Sequence, residues 1–207
     1  VFTVQASNLT VDCDGAGNSA QLTAWLASNG GAQASDLCSN VNWSNDFTAL
    51  SDLCGNTGAA TVTFTATDDC GNFATTTATF TIQDTTKPVF TVQASNLTVD
   101  CDGAGNNAQL TAWLASNGGA LANDLCSNVT WSNDFTALSD LCGNTGAATV
   151  TFTATDDCGN FATTTATFTI QDTTKPVFTV QASNLTVDCD GAGNNAQLTA
   201  WLASNGG

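Results

Sequence analysis

Two residue types in this chain can do chemistry, and both recur at a fixed interval. Cysteines stand at 13, 38, 54 and 70 and again at 101, 126, 142 and 158, with Cys189 starting a third series. Carboxylates cluster beside them, as in Asp12-Cys13-Asp14, Asp36-Leu37-Cys38 and Asp68-Asp69-Cys70. Thiols can pair as disulfides or hold a soft metal. Carboxylates with amide and backbone oxygens suit a hard cation such as Ca²⁺. The chain has no His and no C-x-x-C pair, so zinc has no ligand pattern to use. An even number of cysteines per series points to disulfides in an oxidising, extracellular setting.

The interval is 88 residues. Val-Phe-Thr-Val-Gln-Ala-Ser-Asn-Leu-Thr-Val-Asp-Cys-Asp begins at Val1, Val89 and Val177. Over one full period four positions differ: Ser19/Asn107, Gln33/Leu121, Ser35/Asn123 and Asn42/Thr130. A period this long exceeds a solenoid unit and fits whole domains in tandem. The boundaries read as repeat 1 over 1–84, a linker over 85–88, repeat 2 over 89–172, a linker over 173–176, and the start of a third repeat over 177–207. The chain starts without Met and stops within a unit, as a window on a longer array would.

All 18 acids are Asp, against two Lys, for a net charge of −16. No basic surface exists to neutralise phosphate, which argues against nucleic acid and against anionic membranes. No apolar run reaches the ~20 residues of a membrane-spanning helix. With no His, Glu or Tyr, acid–base catalysis is left with Asp, Cys and one linker Lys, so an enzyme is not expected.

Within a unit, Phe2–Val4 and Asn8–Cys13 alternate as half-buried strands do. Asn18 with Gln21 three residues on has the form of a capping box. Leu22, Trp25 and Leu26 then follow at helical spacing, and Asn29-Gly30-Gly31 stops the helix. Trp25 is expected in the core. An acidic loop carries Asp36 and Cys38 before a strand with Val41 and Trp43 on one face. Two long strands follow, one with Val62, Phe64 and Ala66 inward, the next with Ala78, Phe80 and Ile82 inward. The turn Asp68–Asn72 joins them, and Pro88 ends the unit. Six or so strands, Thr-rich and punctuated by turns, and a helix predict a mainly β protein, tandem immunoglobulin-like β-sandwiches each with one inserted α-helix.

The run Thr61-Val-Thr-Phe-Thr-Ala-Thr-Asp-Asp-Cys-Gly-Asn72, with Ala78-Thr-Phe-Thr-Ile82 and Asp84-Thr-Thr-Lys-Pro88, resembles the hyalin-repeat family. The resemblance implies tandem immunoglobulin-like β-sandwich domains in secreted or cell-surface proteins, with an adhesive or structural role. Similar near-identical arrays occur in giant surface fibres of bacteria. This chain departs from the family pattern in its helix and in having four cysteines per unit instead of two.

Strand directions assign poles. Cys13 and Cys54 fall at one end of the unit, Cys38 and Cys70 at the other. Cys54 and Cys70 flank a strand of ~30 Å, too long for the ~6 Å Cα separation of a disulfide. Pairs Cys13–Cys54, Cys38–Cys70, Cys101–Cys142 and Cys126–Cys158 are therefore expected, although sequence alone permits three connectivities. The same directions bring Asp84 at the exit of repeat 1 towards Asp124, Asp156, Asp157 and Asn160 of repeat 2, a junctional Ca²⁺ site. Asp36, Asp68, Asp69 and Asn72 are its equivalents in repeat 1. Ordinary Asx turns are the competing reading. Asp12 and Asp14 form a second, weaker candidate. Asn8-Leu-Thr10 and Asn128-Val-Thr130 match glycosylation sequons.

The expected function is the shaft of a long extracellular bacterial fibre or adhesin, used in attachment or capture. Its partners would be neighbouring repeats, and a homo-oligomer or filament bundle. The alternative is an adhesion module in which each repeat binds glycan or protein.

Overall fold

The computed structural model describes all residues 1–207. Residues Val1–Gln171 form one compact unit and Asp172–Gly207 a second. In the first repeat the order is β1 (Phe2–Val4), β2 (Leu9–Asp12), α1 (Ser19–Ala27), β3 (Gln33–Ala34), β4 (Val41–Asn45), β5 (Gly58–Asp68) and β6 (Phe73–Gln83). The second repeat follows the same plan: β7 (Val89–Val92), β8 (Leu97–Asp100), α2 (Asn107–Ala115), β9 (Leu121–Asn123), β10 (Val129–Asn133), β11 (Gly146–Asp156) and β12 (Phe161–Gln171). Residues Asp172–Gly207 contain one regular element, α3 (Asn195–Ala203).

Each repeat is a mainly β sandwich with uneven layers. One layer is a four-stranded sheet in the order β2-β6-β5-β4, in which β2 runs parallel to β6 and the other neighbours are antiparallel. A two-stranded sheet, β1-β3, and helix α1 complete the unit. β3 lies where the sequence reads as loop; its two residues pair with β1. Repeat 2 has the same order, β10-β11-β12-β8 with β7-β9.

The core follows from the period-2 pattern of β5 and β6. Val62, Phe64, Phe80 and Ile82 are all essentially inaccessible. Register sets large residues opposite small ones: Phe80 faces Ala60, Phe64 faces Thr76, and Val62 faces Ala78. The space this leaves is filled from above by α1. Trp25 packs its ring edge on Phe64 at 5.2 Å and against Phe80 at 5.6 Å, and its Nε1 donates to the Ser7 carbonyl at 3.1 Å. The indole is thus buried with its polar atom satisfied, as expected of a core Trp. Trp43 is half-buried and packs against Phe2 at 5.8 Å.

The helix start differs from the sequence reading. Asn18 is the residue before α1, but its φ is 49° and its side chain makes no cap bond. Instead it is fully buried and ties the preceding loop, accepting from Asp14 N–H and donating to the Asp12 carbonyl. The helix end matches its sequence signature. Gly30 has φ 65°, and a Cβ there would meet the Phe64 ring at 2.9 Å, so only glycine fits.

Phe80→Ala should remove about 3–5 kcal/mol of stability, because the ring is sealed between sheet and helix. Urea unfolding of the disulfide-intact protein measures this; a loss below ~1 kcal/mol would contradict the packing described.

Candidate functional site

The strand directions place Cys13 and Cys54 at the end of repeat 1 that meets repeat 2. Cys126 and Cys158 lie on the facing end of repeat 2. The thiols pair across this boundary: Cys13 with Cys126 (Cα–Cα 6.1 Å) and Cys54 with Cys158 (Cα–Cα 5.2 Å). This corrects all four expected pairs, Cys13–Cys54, Cys38–Cys70, Cys101–Cys142 and Cys126–Cys158. Cys38, Cys70, Cys101, Cys142 and Cys189 are unpaired. The assignment of cysteines to poles holds, but the partner of each lies on the apposed pole of the next repeat. Both bridges therefore join repeats, and none lies within one.

The backbones around the bridges are in contact. Asn56 N–H donates to the Cys126 carbonyl at 2.7 Å, and Cys126, with 1% of its surface exposed, belongs to the core of repeat 1. Gly55, at φ 56°, lies so close that a Cβ would stand 2.5 Å from the Cys126 oxygen and from Ser127 Cβ. Gly143, its equivalent in repeat 2, has φ 58° and open space around it. These contacts carry no signal in the sequence, because Gly55 and Gly143 are the same residue in the same local context.

The linker crosses the same boundary. Asp12 Oδ1 accepts from both the backbone and the hydroxyl of Thr85, holding the linker to the end of β2. Asn160 Nδ2 donates to the Asp84 carbonyl at 3.1 Å, and Lys87 Nζ lies over the Phe161 ring at 5.8 Å. Pro88 is buried.

Between linker and repeat 2, three carboxylates converge. Oxygens of Asp84, Asp124 and Asp156 lie within 4.8 Å of one another. Each is aimed by its own Asx geometry. Asp156 Oδ1 accepts from Cys158 and Asn160 N–H, while its Oδ2 takes Asn160 Nδ2 at 2.8 Å. Asp124 Oδ1 accepts from Cys126 and Ser127 N–H, and Asp84 Oδ1 from Thr86 N–H. The remaining oxygens, Asp84 Oδ2 and Asp124 Oδ2, are buried with no hydrogen-bond partner. Burial, and then the carboxylates of Asp124, Asp156 and Asp12, push the Asp84 carboxyl above its ordinary value, against the opposing pull of Thr86 N–H.

The Asx turns and the convergence thus occur together. Of the predicted junctional set, Asp84, Asp124, Asp156 and Asn160 meet. Asp157 does not: its carboxylate is taken by the backbone and side chain of Asn128. Adjacent residues in the turn face opposite ways, so one of the pair Asp156-Asp157 had to point away. In repeat 1, Asp36 and Asp68 make the same local bonds, Asn72 donates to Asp68, and Asp69 turns to Asn40 and Asn42. No third carboxylate joins them. The candidate at Asp12 and Asp14 is not assembled either: Asp14 accepts from Ala16 and Asn18 N–H, and Asp12 from Thr85.

The donor set is oxygen only, with three negative charges and two buried, unpartnered acceptors. That chemistry fits a hard divalent cation, and Ca²⁺, with six to eight flexible oxygen ligands, better than Mg²⁺, which demands octahedral geometry. Asp84, Asp124 and Asp156 would hold it.

No protein-family model and no curated protein matches the chain. Among solved structures it is similar to cadherin ectodomains. Drosophila N-cadherin EC1-4 matches at 14% identity over 68% of this chain and 43% of that chain, with a TM-score of 0.29. Mouse cadherin-23 EC22-24 matches at 17% identity over 55% and 42%, with a TM-score of 0.27. The human desmocollin-1 ectodomain matches at 14% identity over 56% and 28%, also at 0.27. The chain spans less than half the length of each.

Two predictions follow from the junction geometry. Gly143→Ala should cost about 1–2 kcal/mol for its left-handed backbone alone. Gly55→Ala should cost a further ~1–3 kcal/mol, because the added methyl overlaps repeat 2. Equal losses in thermal melts of the two variants would refute the junction contact. Asp84 binds its proton more tightly when folded, so its ionised form disfavours the metal-free fold above that raised pKa. Asp84→Asn should therefore stabilise the chelator-treated protein at pH 7, and the gain should shrink as pH falls towards 4. A gain independent of pH would contradict the upward shift that burial and the neighbouring carboxylates impose on Asp84.

Proposed function

We propose that this chain is part of the shaft of a long extracellular surface fibre or adhesin, of the kind bacteria use for attachment or capture. Its work is mechanical. The observation that carries the reading is a repeat junction crossed by two disulfides, a bound-down linker and a three-carboxylate cluster. Disulfides persist in oxidising compartments, which fits an extracellular or cell-surface location. A covalent double staple resists separation and twisting of neighbouring repeats, whereas a flexible tether would leave the Pro-bearing linker free. The near-identity of the repeats supports the same reading, because a shaft needs one geometry reproduced many times.

In this reading Ca²⁺ is the junctional ion. Asp84 belongs to the linker, while Asp124 and Asp156 belong to loops of repeat 2. A cation shared among them neutralises their repulsion and ties the linker to the next repeat. The alternative, that each repeat binds glycan or protein, would favour exposed aromatic side chains in a groove. Trp25 is 5% exposed and Trp43 is half-buried against Phe2, so neither offers an open platform; the exposed aromatic of repeat 1 is Phe73, at its open end.

Thermal unfolding of the oxidised protein in millimolar Ca²⁺ and in chelator tests the ion. A ligand bound only by the folded state at ~100 times its Kd adds ~2.7 kcal/mol. The expected result is a clear rise in Tm with Ca²⁺, lost in Asp84→Asn and in Asp124→Asn. An unchanged Tm in the wild type would remove Ca²⁺ from the mechanism and leave rigidity to the disulfides.

A further inference from the structure

The two ends of Val1–Gln171 are not alike, and comparing equivalent residues shows why. At the covered end of repeat 2, Cys126 and Asp156 are buried, with 1% and 4% exposure. Their equivalents in repeat 1, Cys38 and Asp68, are exposed and half-buried. Leu37 is fully exposed at 100%, whereas Leu125 packs on Gly15 and falls to 65%. Phe73 and Phe161 follow the same trend, at 72% and 54%. Beside Phe73 lies an open cavity of about 190 Å³, lined by Val1, Asp36, Val41, Asp68 and Asn72. In repeat 2 the equivalent wall meets the linker, where Asn160 binds the Asp84 carbonyl and Lys87 covers Phe161.

The local structure of the open end is already the bonded one. Asp36 accepts from Cys38 and Ser39 N–H as Asp124 does from Cys126 and Ser127. Asp68 is bound by Cys70 and Asn72 N–H as Asp156 is by Cys158 and Asn160. The opposite pole is equally prepared. Cys101 keeps the sulfur contacts of Cys13, to Gly103 N–H and to the Asn144 carbonyl, and Cys142 keeps the Thr145 contact that Cys54 makes with Thr57. Nothing in either pole needs rebuilding to form a junction.

We propose that the Asp36–Cys70 end of this repeat is a socket for the opposite end and linker of another copy of the same repeat, closed by two disulfides. Cys38 takes the counterpart of Cys13, and Cys70 takes the counterpart of Cys54. The rule is that every repeat is bonded to its neighbours twice at each end and never to itself. The unpaired Cys38, Cys70, Cys101 and Cys142 are half-bridges under this rule. Each bridge forms by thiol–disulfide exchange with a small-molecule disulfide. One cysteine thiolate attacks it, giving a mixed disulfide and releasing one small thiol. The second cysteine displaces the other, so two protein thiols are oxidised and one disulfide is reduced to two thiols.

The test adds a copy of residues 89–176 in front of Val1, so that a full repeat and its linker precede repeat 1. The protein is refolded with oxidised and reduced glutathione, alkylated, and mapped by mass spectrometry without reduction. In the 207-residue chain, Cys38 and Cys70 should be alkylated. In the extended chain both should be protected, linked to the added counterparts of Cys101 and Cys142 respectively. The bridges Cys13–Cys126 and Cys54–Cys158 report in the same map that the rest has folded. If they form while Cys38 and Cys70 remain alkylated, or pair with each other, the socket is wrong. As a second check, Gly→Ala at the added counterpart of Gly143 should lower protection of Cys38 and Cys70. Protection unchanged by that substitution would also overturn the proposal.

Discussion

Closure of the boundary between repeats 1 and 2 by two disulfides is the constraint on which the rest of this structure depends. Asp84, Asp124 and Asp156 are brought together by the chain path and by their own Asx turns, in a place where two of their oxygens meet no donor. The two disulfides lie on the same boundary. Burial, with the neighbouring carboxylates adding to it, holds the Asp84 carboxyl above its ordinary value, a cost that the proposed Ca²⁺ would relieve.

The cores explain why the bonds lie between repeats. Each repeat buries a few large side chains, Phe64, Phe80, Val62 and Ile82 under Trp25, and units of this size are only marginally stable. Cys126 enters the core of repeat 1, so repeat 2 seals it. The bridges span 113 and 104 residues. In the chain-entropy view a loop of that length contributes about 4.7 kcal/mol, against ~4 for the shorter loops of within-repeat pairing. The second bridge adds less than the first, because the first has already closed most of the same loop. The larger consequence is mechanical, since covalent continuity through a junction bypasses the linker.

Much of the fold was legible in the residues. Val62, Phe64 and Ala66 alternate with threonine, as do Ala78, Phe80 and Ile82, and a strand with one buried face has no other way to read. Leu22, Trp25 and Leu26 marked the helix, and Asn29-Gly30-Gly31 its end. Asn18 misled because asparagine serves equally well as a cap or as a loop tie, and the glycines beside it permitted the left-handed turn that chose the tie. The convergence of Asp84 with Asp124 and Asp156 was readable from strand direction. The absence of Asp157 was not, since which of two adjacent carboxylates points inward depends on the turn.

By itself the sequence determined the repeat, the alternation of the sheet, the pole on which each cysteine lies, and the all-oxygen character of the acidic cluster. Each of these is local, or follows from adding strand directions in order. Only the tertiary structure decided which sulfur bonds to which. Cys13 joins the counterpart of Cys38, and Cys54 the counterpart of Cys70, a connectivity that the length of β5 forbids within one repeat. The next repeat offers the same residues, displaced by one period, against the right pole. All but four of the residues 88 apart over a full period are identical. No local pattern can therefore tell a partner in the same repeat from its copy in the next; only the packing of one repeat on another does.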